Sequence, residues 1–149
     1  MHHFEKYKQE ADQFIITLSE ELNHRNQPEQ TLRILKAVLH TVRDRITISE
    51  SFDLMAQLPM LLKGLYVHQW KYAEKTDEFR TMEDFVERVK ERQRLFGEKD
   101  FDWDEPSREI VLTVLKTLYI TYLSTGQLDH IIDQLPKDVK ETVFAELEG

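Results

Sequence analysis

Gln57-Leu58-Pro59-Met60-Leu61-Leu62-Lys63-Gly64-Leu65-Tyr66 has an echo 77 residues later, in Gln134-Leu135-Pro136-Lys137-Asp138-Val139-Lys140. In each copy Gln-Leu-Pro marks a break between two short helical segments. Proline disfavours helical geometry at the residue before it, and it suits the first turn of the helix that follows. Upstream of this break the correspondence continues at a spacing of 76 residues. Thr31 matches Ser107, Ile34 matches Ile110, Val38-Leu39 matches Val114-Leu115, and Thr41-Val42 matches Thr117-Leu118. One residue is therefore inserted between the two blocks, in or beside a short third helix. An ordered set of matches held in register is the mark of an internal repeat. The sequence predicts an all-α chain of two tandem four-helix units, residues 1–78 and 79–149. Each unit has two long helices followed by two short ones, and both are packed into one body.

Apolar periodicity fills in the helices. Phe4, Tyr7, Ala11, Phe14, Ile15, Leu18 and Leu22 recur in steps of three and four, describing one helical face. A polar stretch, Asn23 to Asn26, leads to Pro28. The second helix starts there and buries Leu32, Leu35, Val38, Leu39, Val42 and Ile46. Thr47 and Glu50 are spaced for a capping box at the start of the third. Pro59 opens a fourth helix, from Met60 to about Trp70. The polar residues from Tyr72 to Arg80 read as the connection between units. Thr81-Met82-Glu83-Asp84 restarts the pattern, with Met82, Phe85, Val86, Val89, Leu95 and Phe96 on one face and Gly97 as the stop. Pro106 opens the next helix, carrying Ile110, Val111, Val114, Leu115, Leu118, Tyr119 and Tyr122. Ser124-Thr125-Gly126-Gln127 repeats the cap, and a last helix runs to Leu147.

The phrase from Gln57 to Tyr66, closing at Trp70, resembles a bacterial family catalogued as domain of unknown function 2267. So do Gln134 to Lys140 and the opening Met82-Glu83-Asp84-Phe85-Val86-Glu87-Arg88-Val89. The resemblance covers nearly the whole chain and departs most around Phe4 to Leu22. It implies a helical bacterial protein and brings no catalytic residues with it.

Composition narrows the possible functions. The chain holds 28 Asp plus Glu against 20 Lys plus Arg, a net charge of -8, with the basic residues scattered. Such a surface repels phosphate backbones, so no nucleic-acid partner is expected. The absence of cysteine excludes thiol chemistry and Cys-based zinc sites, and it fits a reducing compartment. The polar start lacks the apolar stretch of a secretory signal, and no run is long enough to span a membrane. A cytoplasmic location without a membrane partner is expected.

Chemistry-bearing patterns are sparse. The six histidines are isolated or, as His2-His3, adjacent near one end, and none shows the spacing of a helical metal pair. His40 aligns with Lys116, which predicts an exposed position. Asp100 to Glu105 lacks the glycine and the final acid of a calcium loop. Its carboxylates read instead as partners of the following helix N-terminus, with Phe101 and Trp103 pinning the loop to the core. No catalytic residue, metal site or cofactor is expected.

The two copies differ after their prolines, where Met60, Leu61, Leu62 and Gly64 stand opposite Lys137, Asp138, Val139 and Glu141. A helix apolar on nearly all sides predicts burial between the units, or failing that a homodimer interface. Met60, Leu61, Tyr66, Trp70 and Trp103 are the candidate interface or pocket residues. The favoured reading is a non-enzymatic protein interaction module, with an unknown partner or with itself. The alternative is a pocket for a small molecule between the units, near Trp70 and Trp103.

Overall fold

The computed structural model describes residues 2–71, 76–95, 103–123 and 133–148, and the side chains of all of these except 2, 3 and 95. The elements are α1 (His2–Glu21), α2 (Pro28–Arg45), α3 (Ile48–Gln57), α4 (Met60–Val67), α5 (Met82–Leu95), α6 (Ser107–Leu118) and α7 (Lys137–Glu148). A π turn, Tyr119–Leu123, extends α6. Among the described residues there is no strand. The predicted cap at Ser124 to Gln127, the short helix after it, His130, Gly97 and Phe101 lie outside the described residues.

The local chemistry of the boundaries is visible in hydrogen bonds. Asn23 takes a left-handed conformation (φ 62°) after α1. The Asn23 N–H then reaches Glu20 O and the His24 N–H reaches Ser19 O, at 3.0 and 2.9 Å, closing the last turn of the helix. The Thr47 hydroxyl accepts from the Glu50 N–H and caps α3. Thr81 does the same for Asp84 at the start of α5. The first N–H of α5, on Met82, is satisfied from across the fold by the Asp138 carboxylate of α7, at 2.7 Å.

α2 is the centre of the molecule and packs on α1, α4, α5 and α6. Every residue from Ala37 to Arg43 is buried, three polar ones included. Each of the three makes a hydrogen bond to a carbonyl: Thr41 bonds back to Ala37 O, His40 donates to Leu65 O, and Arg43 donates to Tyr66 O and His68 O. The buried face differs from the predicted one at two points. Leu32 is exposed and Ile34 takes its place inside, while Phe4 projects from the first turn of α1 with 76% of its surface free.

α4 corrects a larger expectation. It is the most apolar helix, yet it is not wedged between the halves. It packs on α1, α2 and α3, and Met60 and Leu61 keep 46% and 48% of their surface in solvent. The segment buried on all sides is Ala37 to Arg43 of α2, where polar side chains bonded to carbonyls disguise the burial.

The core is continuous. α2 packs on α5, and α6 packs on both α1 and α2. The π turn carries Tyr119 edge-on to Phe144 of α7 (centroids 5.4 Å apart) and Tyr122 against Phe14 of α1 (5.1 Å). A π turn re-aims side chains that a regular helix would present elsewhere, and here it lets one segment bridge two helices.

Candidate docking face

An eight-residue helix such as α4 is not stable alone and must be held by its neighbours. Leu62 and Tyr66 on its inner face are buried, and the Tyr66 hydroxyl pairs with Ser51 Oγ of α3 at 2.7 Å. Burial pushes the Tyr66 phenol up to about 12, so it stays protonated at neutral pH. From below, His40 Nε2 donates to Leu65 O at 2.8 Å. Arg43 Nη1 donates to Tyr66 O and His68 O at 2.8 and 2.9 Å. A guanidinium on the last carbonyls of a helix complements its dipole as well as its open acceptors. The same guanidinium lies 5.7 Å from the centre of the Trp70 ring. Gln69, in the left-handed region (φ 57°), turns the chain so that Trp70 folds back against Tyr66.

The opposite face of α4 is open. Met60, Leu61, Gly64, Val67 and His68 are all exposed. Phe52 of α3, 60% exposed, extends this surface to Trp70, with ring centroids 6.3 Å apart. A Cβ added to Gly64 would meet nothing within 4 Å, so the interior does not require a glycine there. Charge sharpens the picture. Between Leu54 and Ala73 there is no carboxylate, in a chain that holds 28, and Lys63 and Lys71 are the charged residues. That acid-free run is legible in the sequence, although the net composition does not reveal it. A contiguous apolar surface left in solvent is uncommon on a monomer, which makes this face the candidate site.

The remaining predicted site residue lies elsewhere. Trp103 is buried at the opposite end of α2, where its ring stacks on His24 (centroids 3.8 Å apart) and its Nε1 donates to the Gln27 side chain. Gln27 precedes α2 and Arg43 lies near its end, so Trp103 and Trp70 are separated by about 24 Å of helix. A single pocket lined by both tryptophans is thereby ruled out. Between the halves there is instead a cavity of about 40 Å3, lined by Leu39, Leu54, Leu115, Tyr119 and Tyr122 among others. Ligand pockets span roughly 300–1,000 Å3. The hollow beside Trp103 is larger, about 420 Å3, but it is open and rimmed by Asn26, Glu29 and Arg33.

Two histidines find structural roles. His24 Nε2 lies 3.0 Å from both carboxylate oxygens of Glu105, and that neighbour holds the Glu105 carboxyl below its usual range. The contact joins the loop after α1 to the loop before α6. His40, predicted to be exposed, is fully buried. Its alignment with half-buried Lys116 fails as a guide because the α4 backbone covers His40. Among the described residues no three His, Cys, Asp or Glu side chains come together in a group able to hold a metal ion. No described helix is long and apolar enough to cross a membrane.

The described residues form an all-helical protein with an exposed apolar face on α4. The family model described as "Uncharacterized conserved protein (DUF2267)" matches residues 11–142, and the chain belongs to that family. No curated protein matches it.

Proposed function

We propose that this chain is a non-enzymatic protein–protein interaction module of the bacterial cytoplasm, built from two tandem four-helix units, 1–78 and 79–149, and docking through the outer face of α4. The observation that carries the reading is the exposed apolar surface of Met60, Leu61 and Val67 on a helix whose inner face is locked by His40, Arg43 and Tyr66.

The repeat gives this surface its significance, and several correspondences support the repeat. Leu58, Leu62 and Tyr66 are buried, as are Leu135, Val139 and Val143. Thr41 bonds to Ala37 O and Thr117 to Thr113 O, each at 2.8 Å. α1, α2 and α4 pack on one another, and so do α5, α6 and α7. On the outside the units part. Where α4 presents Met60 and Gly64, α7 presents Lys137 and Glu141, an ion pair at 3.7 Å. The same scaffold thus tolerates an ordinary charged surface at these positions, so the fold does not impose the apolar one. Leaving such side chains in water forgoes about 1.5–3 kcal/mol for each one that a partner would fully bury.

The test compares proteins retained from the native cell by wild-type and Leu61→Glu baits, after circular dichroism has shown both to be folded. Retention by the wild type and loss by the variant is the expected result. Equal retention would remove α4 from the interface.

A further inference from the structure

We propose that the outer face of α4 is a self-complementary contact, at which two copies of this chain pack antiparallel about Gly64. The proposal rests on the docking reading above and names its partner. The exposed face is nearly palindromic around the glycine. Met60 and Leu61 lie four and three residues before it, and Val67 and His68 lie three and four after it. In an antiparallel crossing centred on Gly64, Met60 and Leu61 of one copy oppose Val67 and His68 of the other, and the reverse holds by symmetry. That is the requirement of a two-fold contact, in which residue i meets j and j meets i.

Gly64 is the second observation. A glycine inside a helix weakens that helix, and here no internal contact calls for it, since a Cβ would point into open space. A second backbone crossing closely at this point does call for it. The third observation is charge. Each copy carries a net charge of -8, so most pairs of surfaces bring carboxylates face to face. The acid-free run from Leu54 to Ala73 is where two copies meet without that opposition. Phe52, 60% exposed beside Trp70, widens the contact beyond the two short helices. The lack of carboxylates in the run from Leu54 to Ala73 also sets the salt dependence. Added salt screens the repulsion between the two acidic bodies and leaves the apolar contact intact.

Sedimentation equilibrium of the full chain across micromolar to millimolar concentrations decides the matter. A reversible dimer that tightens with salt is expected. Leu61→Glu and, independently, Met60→Lys abolish it while circular dichroism stays that of the wild type. Gly64→Ala weakens it at least tenfold although the protomer melts at a higher temperature. Leu32→Glu, at an exposed apolar site near the other end of α2 from Arg43, leaves it unchanged. A wild-type monomer throughout the range overturns self-association and leaves docking of a different protein standing. A dimer that survives both Leu61→Glu and Met60→Lys overturns the assignment of the face. A dimer indifferent to Gly64→Ala overturns the close crossing.

Discussion

His40 is buried among cations. Arg43, Arg92 and Lys36 all disfavour its protonation, after burial itself, and its imidazole is lowered from 6.5 to about 4 despite the bond to Leu65 O. Because a carbonyl only accepts, Nε2 carries the proton in the neutral ring. The consequence for stability has a definite sign. The unfolded chain takes up a proton near pH 6.5 and the folded chain only near 4. His40 therefore costs nothing above pH 6.5 and removes stability as the pH falls from 6.5 towards 4, by at most about 3 kcal/mol. Urea midpoints at pH 7.5 and 4.5 check this. His40→Gln, which keeps a donor for Leu65 O, is expected to lose less stability between these two conditions than the wild type. An identical loss in both proteins would place the effect elsewhere.

At the scale of the element, α4 combines a fixed inner face with an unpartnered outer one. Alanine is preferred to glycine inside a helix, and Gly64 has room for the extra methyl. Gly64→Ala is thus expected to stabilise the protomer by about 0.5–1 kcal/mol, read as a rise in melting temperature under monomeric conditions. A fall would mean that the glycine serves the protomer after all. α3 offers a contrasting case. Removing its cap with Thr47→Ala is expected to cost about 1 kcal/mol, measured by urea denaturation. The start of each of these helices was readable from Thr47 and Pro59. The direction each side chain faces was not. The pattern Met60-Leu61-Leu62 reads as burial on all sides, but burial depends on what neighbours supply, and α1, α2 and α3 cover only one side.

At the scale of the molecule, the halves share one core. Phe14 of α1 touches Tyr122 of the π turn, and α2 lies against both α5 and α6. The chain holds two tryptophans, so Trp103→Phe leaves Trp70 as the sole reporter, placed in the first half. Its fluorescence and the helical signal of the whole chain are expected to disappear in one coincident urea transition. Two separated transitions would show that the halves unfold independently.

The sequence by itself determined the all-helical class, the family, and most of the boundaries, because caps, prolines and periodicity act between residues close in the chain. It also identified Met60 and Leu61 as unusual, by contrast with Lys137 and Asp138. The tertiary structure alone decided which helix lies at the centre and which face is left open. His40 and Arg43 look like surface residues until the carbonyls of Leu65, Tyr66 and His68 are brought over them. Trp103 and Trp70 look like partners until α2 sets them at its two ends. Burial and proximity are relations between segments far apart in sequence, fixed by packing around α2. No local pattern encodes them.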